Sequence, residues 1–131
     1  MKTRQLILWS ALALVLAGSR LSALAANTAG SATFTVRTTS YGGNYDPNNV
    51  AVVWVVDSSN KFVKTLCRNA ATRISYLSRW ATSRGTYTNV DGTTSSTLTS
   101  QPQTHTVTWN CRDTHNAVVP DGIDYFKVAY T

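Results

Sequence analysis

The segment Val-Ala-Val-Val-Trp-Val-Val-Asp at residues 50–57 constrains the chain more than any other. Seven apolar side chains follow one another there, five of them valine. Valine is stiff at χ1 and suits a pleated surface better than a helix. A strand sends alternate side chains to opposite faces, so an apolar run without alternation demands cover on both sides. The fold must therefore contain a central strand with packed layers above and below it. Ser58–Asn60 are turn formers, and Lys-Phe-Val-Lys-Thr-Leu-Cys at 61–67 returns the chain as the second arm of a hairpin.

The remaining segments supply the cover. Ser31–Tyr41 alternates, with Phe34 and Val36 on one face and Thr35 and Arg37 on the other. Thr104–Cys111 does the same with Val107 and Trp109, and Ile123–Thr131 reads as the last strand. Between them lie a Gly pair, Asp46-Pro47 and an Asn pair over 42–49, and a long turn over 112–122. Arg73–Trp80 breaks the strand rhythm. Ile74, Leu77 and Trp80 have helical spacing, which predicts one or two helical turns crossing the sheet. Glu is absent while Thr and Ser abound, a composition that disfavours helix and favours pleated structure. These features predict an all-β chain: an antiparallel β-sandwich with one short helical crossover, with Trp54, Trp80 and Trp109 in its core.

The N-terminus predicts export. Lys2 and Arg4 precede an apolar stretch, Leu6–Gly18, too short for the roughly 20 residues a bilayer requires. Ala23 and Ala25 are small residues suited to signal-peptidase cleavage, so residues 1–25 read as a secretory signal peptide. An uncleaved anchor is the alternative; no Cys stands near the cut to make a lipoprotein. Residues 26–131 are then one domain, with a Ser/Thr-rich loop at about 81–103. The formal charge of +6 falls to +3 once Lys2, Arg4 and Arg20 are removed. That is too small to argue for nucleic acid.

Cys67 and Cys111 are the only cysteines. In an oxidising compartment such a pair reads as a disulfide. Closing a loop of 44 positions is worth about 4 kcal/mol in the chain-entropy model. A thiol or metal site built from Cys111, Asp113, His115 and His105 is the competing reading, without a CxxC or HxxxH motif behind it. Acid–base hydrolysis would need two aspartates, yet Asp46, Asp57, Asp91 and Asp121 stand in turn contexts. Neither a GxSxG elbow nor a Gly-rich phosphate loop occurs. An autonomous enzyme is the least supported class. Lys61, Lys64, Arg68, Arg73, Arg79 and Arg84 form the one cluster of charge, either a solvated face or a docking patch for an anion.

Trp54-Val-Val-Asp57, Phe62-Val-Lys-Thr-Leu66, Tyr76-Leu-Ser-Arg-Trp80, Thr106-Val-Thr-Trp-Asn110 and Val119-Pro-Asp-Gly122 occur in that order. This succession resembles a bacterial family of periplasmic proteins of unassigned function. Part of that family is similar to the immunoglobulin-like region of the flagellar hook-capping protein. The resemblance runs from Asn49 onward and implies an immunoglobulin-like β-sandwich. Cys67 and Cys111 stand where the family carries an aromatic residue and a glycine, a double departure that fits one disulfide gained.

Residues 91–97, Asp-Gly-Thr-Thr-Ser-Ser-Thr, are similar to the motif on which a periplasmic flavin transferase attaches FMN through a phosphoester. By position Asp91, Gly92, Thr94 and Thr97 match, with Thr97 as the acceptor; Ser95 and Ser96 replace a Gly and an Ala. The chemistry asks for a hydroxyl among small neighbours, because the segment must enter the transferase. The resemblance implies a periplasmic electron carrier serving a membrane redox protein or iron-uptake system, without stable membrane insertion after signal cleavage. Tyr87 and Trp80 are the aromatic residues expected to stack on the flavin, and the basic cluster would face its phosphate or a redox partner. The competing expectation is a non-catalytic immunoglobulin-like structural or interaction module of an exported or cell-surface assembly.

Overall fold

The computed structural model describes residues 26–86 and 91–131. The leader read at 1–25 and Tyr87 lie outside the described residues. In chain order the elements are β1 (Ala32–Thr38), β2 (Ala51–Asp57), β3 (Phe62–Asn69), a 3₁₀ turn (Ile74–Tyr76), α1 (Ser78–Arg84), β4 (Thr93–Ser95), β5 (Gln103–Trp109) and β6 (Asp124–Tyr130). They form a two-stranded sheet, β1-β5, and a four-stranded sheet ordered β4-β3-β2-β6. Strands dominate and one short helix is present, as the composition predicts.

The apolar run becomes β2, the second strand in from the β6 edge of the larger sheet, and it is buried on both faces. Val50, Val52, Trp54 and Val56 point one way, into a cluster with Ala70, Leu77 and Trp80. Val53 and Val55 point the other way, into a second cluster with Leu66 and Trp109. The helical crossover covers the first face and the β1-β5 sheet covers the second. Each fully buried valine or leucine contributes about 1.5–3 kcal/mol relative to exposure, so this strand anchors both layers. Between the sheets Phe34 stacks on Phe126, with centroids 4.9 Å apart, and Trp109 meets Phe126 edge-on at 6.3 Å. All three core tryptophans are buried: Trp54 at 5% exposure, Trp80 at 0% and Trp109 at 4%.

The helical crossover is longer than its sequence signal. α1 continues to Arg84 and ends at Gly85, whose φ of 57° is left-handed and open mainly to glycine. Trp80 drops from it into the core and donates from Nε1 to the buried Thr65 hydroxyl at 3.0 Å. Ser83, one turn on, accepts from Trp54 Nε1 at 3.0 Å.

The smaller sheet is regular, with β1 and β5 antiparallel and without a register shift. Its outer face carries paired threonines: Thr33 meets Thr108 and Thr35 meets Thr106, each hydroxyl pair 3.1 Å apart. One pairing departs from the expected antiparallel pattern, since β4 joins β3 in parallel. Among the described residues no helix is long and apolar enough to cross a membrane.

Candidate functional site

The Ser/Thr-rich stretch expected as a loop at 81–103 is built into the structure. α1 takes its first residues, β4 takes 93–95, and β5 begins at 103. What docks β4 is the Asp-Gly pair. β3 carries a bulge at Leu66, because Val53 pairs with Cys67 and Trp54 pairs with Thr65. Ahead of the β4 pairing, the Thr65 backbone N–H is met by Asp91 Oδ1 at 3.0 Å. A charged acceptor on a buried amide is worth about 1.5–3 kcal/mol. Gly92 then passes so close to β3 that a Cβ there would lie 2.4 Å from the backbone of Leu66 and Thr65. Only glycine allows that approach. Asp91 and Gly92, expected as parts of an acceptor motif, thus have a structural role as well.

From Gly92 the chain runs along the open edge of the sheet. Thr93, Thr94 and Ser95 pair with Cys67, Arg68 and Asn69, and all three are exposed. Thr93 Oγ1 donates to Leu66 O at 3.4 Å, and the Ser95 hydroxyl donates to Asn69 Oδ1. Leu98 makes the next attachment, exchanging both backbone hydrogen bonds with Asn49 at 2.9 Å. Thr97 therefore lies between two pinned points, Ser95 and Leu98. Its hydroxyl is half-buried and accepts one long bond, 3.5 Å, from the Ala71 N–H. Thr94 and Thr97 remain on the surface strip with small residues between them.

Beside this strip lies a cavity of about 160 Å³, lined by Tyr45, Asn48, Asn49, Val50, Arg73 and Tyr76. Tyr45 and Tyr76 keep 56% and 57% of their surface exposed, and the Arg73 guanidinium lies 4.1 Å from the Tyr45 ring centre. Asn49 is only 4% exposed. Its amide N–H groups donate to Pro47 O at 3.1 Å and Ser100 O at 3.3 Å. That fixes the amide orientation and leaves Oδ1 without a hydrogen-bond partner among the described residues. An unmet buried acceptor costs about 1–3 kcal/mol. The sequence reading missed this cavity. Tyr45 comes from a turn, and Arg73 and Tyr76 from the start of the helical crossover about 30 residues on; nothing in the sequence paired the two.

Trp80, expected to stack on a flavin, is buried and unavailable for it. The basic cluster is divided rather than pooled. Arg84 and Arg68 lie 4.7 and 6.0 Å from the Trp80 ring centre and shield that edge of the core. Arg73 turns to Tyr45, and Arg79 lines a groove with Trp54 and Lys127.

The expected disulfide is absent: Cys67 and Cys111 are free thiols. The reason is strand geometry. Asn69 Nδ2 donates to Cys67 Sγ at 3.4 Å and lies 3.5 Å from His105 Nδ1, which ties Cys67 to the start of β5. Cys111 lies past the other end of β5, with its Sγ toward Gly30. A strand rises about 3.3 Å per residue, so the separation far exceeds the roughly 7 Å between Cα atoms that a disulfide tolerates. Burial pushes the Cys67 thiol up, against a smaller downward pull from the Asn69 amide, and keeps it protonated. His105 is pulled down by burial. Its Nδ1 accepts from Asn69, leaving Nε2–H to donate to Thr38 Oγ1 at 3.3 Å. The result is a neutral polar bridge between the two sheets.

The alternative metal reading finds no support in geometry. Among the described residues no three His, Cys or Asp side chains converge. His115 and Asp113 approach to 3.9 Å without Cys111 or His105. A concavity of about 340 Å³ includes Asp57, Asp113, Asp121 and Asp124. Asp57 Oδ1 holds the N–H groups of Ser59 and Lys61, and Asp113 Oδ1 holds those of His115 and Ala117. The Thr28 hydroxyl and N–H hold Asp121 and lower its pKa. Burial, helped by the Asp57 charge, raises that of Asp124. Asp57 and Asp113 thus serve turns, and Asp121 ties the segment at Thr28 to the 119–122 loop.

No family model, no curated protein and no solved structure matches this chain.

Proposed function

We propose that this protein is an exported, immunoglobulin-like electron-transfer accessory that carries FMN covalently on Thr97. The Asp91-x-x-Thr94-x-x-Thr97 spacing supports the reading, and one structural observation carries it. The Thr97 hydroxyl stands on an open sheet edge between two attachment points, restrained among the described residues by a single long hydrogen bond. Such a bond is weak, so presenting Oγ1 to a transferase costs little. Ser95 and Ser96 are small enough to follow it into an enzyme cleft.

The transfer balances as a phosphoester exchange. Thr97 Oγ1 bonds to the FMN phosphorus of FAD, AMP departs with the bridging oxygen, and the hydroxyl proton passes to a base on the transferase. When bound, the isoalloxazine supplies the redox chemistry; the protein supplies orientation and charge. The partners implied are the flavin transferase and a membrane redox protein, such as one serving iron uptake.

Expression of the full chain with and without a flavin transferase, followed by intact mass, tests this directly. An FMN-sized gain that Thr97→Ala abolishes is expected. No gain, or a gain that survives Thr97→Ala, refutes the assignment.

A second reading has its own observation. Among the described residues the β1-β5 sheet has two strands and leaves Phe34, Val36 and Val107 half-buried, as an interaction module with open edges would. A protein partner recovered with colourless, unmodified chain favours it.

A further inference from the structure

We infer that the cavity formed by Tyr45, Asn49, Arg73 and Tyr76 holds the isoalloxazine ring of the flavin, an assignment that rests on Thr97 being its acceptor. Reach comes first. Leu98 follows Thr97 and exchanges both backbone bonds with Asn49. Adjacent Cα atoms lie about 3.8 Å apart and such a bonded pair about 5.5 Å. Thr97 is thus within roughly 9 Å of the cavity wall, a gap the phosphate and ribityl arm spans. On the far side, Ala71, which binds the Thr97 hydroxyl, is two residues from Arg73. Both walls therefore adjoin the acceptor.

Chemical fit is the second argument. Tyr45 and Tyr76 offer ring surface at the mouth, and a planar π system stacks on tyrosine in offset or edge-on geometry. A cavity of about 160 Å³ accepts one edge of the tricycle and leaves the remainder over the tyrosines. Asn49 is part of the lining, and its amide nitrogen is tied to Pro47 O and Ser100 O, which holds that wall in place. On one side of the cavity the Arg73 guanidinium lies over Tyr45. That guanidinium would favour the negative charge that reduction adds to a flavin seated there. In this arrangement the tyrosines hold the plane of the ring and Arg73 raises its potential.

The test uses full-length chain made with a flavin transferase, read by intact mass, flavin fluorescence and reduction potential. Wild-type fluorescence is expected to be quenched several-fold relative to free FMN. Tyr45→Ala and Tyr76→Ala should keep the mass gain and recover fluorescence, and Arg73→Gln should keep the gain and lower the potential. Circular dichroism checks that each variant is folded. A mass gain with unquenched flavin, or quenching and potential indifferent to all three substitutions, overturns the cavity assignment and leaves Thr97 standing. Without a mass gain the Thr97 reading falls, and free FMN is titrated against the unmodified chain. Quenching that Tyr76→Ala removes then upholds the cavity as a flavin site, and its absence overturns both.

Discussion

Replacing Gly92 by alanine separates a glycine kept for flexibility from one kept for space. The added Cβ would meet Leu66 C, Leu66 O and Thr65 O, all at 2.4 Å. Ordinary contact begins about 1 Å further out, and these atoms belong to the backbone of a bulged strand that cannot rotate aside. Gly92 must therefore retreat by about 1 Å, taking Asp91 with it. The Asp91–Thr65 bond, 3.0 Å in the native chain, stretches past the useful range. Losing it costs about 1–3 kcal/mol, and overpacking adds about 1–3 kcal/mol. Reduced freedom of the unfolded chain returns about 0.4–1 kcal/mol. The net loss expected is about 2–4 kcal/mol, or roughly 10–20 °C in Tm for a domain this size. Thermal unfolding followed by circular dichroism reads it. Gly30→Ala is the control, because its Cβ meets only Cys111 Sγ at 3.8 Å and should leave Tm unchanged. A Gly92→Ala protein melting within about 2 °C of wild type would refute the steric argument and return the glycine to a flexible role.

Trp80→Phe should destabilise by about 2–4 kcal/mol, combining a lost bond to the buried Thr65 hydroxyl with a void beneath Arg84; a change below about 1 kcal/mol in urea titration contradicts this. His105 has a folded-state pKa below its unfolded value of about 6.5. The unfolded chain thus binds more protons as pH falls through that value, so this contribution is present above pH 6.5 and lost on acidification. Urea midpoints measured from pH 8 to pH 5 should fall, and His105→Phe should flatten the profile; an unchanged slope rejects the assignment. Alkylation of denatured chain without reductant should label both Cys67 and Cys111, and reductant should not move Tm. A mass two protons lighter with no label would restore the crosslink.

Much of the architecture was legible because burial leaves a mark in sequence. The valine run could be satisfied only by a strand covered twice, and alternation at Phe34–Val36 and Val107–Trp109 marked the cover. β4 left no such mark. Its Thr-Thr-Ser is exposed throughout, and its attachment depends on one carboxylate and one missing Cβ, neither of which has a periodicity. The cysteine pair misled because counting thiols ignores where strands carry them; five residues, four of them in β5, separate His105 from Cys111. The tyrosine cavity was hidden for a related reason: Tyr45 stands in a turn and Tyr76 in the 3₁₀ segment, and the Asn49–Leu98 bridge and the Ala71–Thr97 contact bring them to the acceptor strip.

The β1-β5 pairing also bears on how the chain comes to be folded. β2 and β3 meet across a short turn, whereas Thr33 must wait for Thr108, 75 residues away. Closing the longer loop costs roughly 2–3 kcal/mol more in chain entropy, so the hairpin forms first and β1 emerges early from synthesis with no partner. An extended segment waiting in that state is a template for the wrong edge. Alternate hydroxyls and Arg37 make it a poor one, since half of its side chains gain nothing from burial against a stranger. The threonines therefore act before the sheet exists, keeping the first strand made available for the last ones that can claim it.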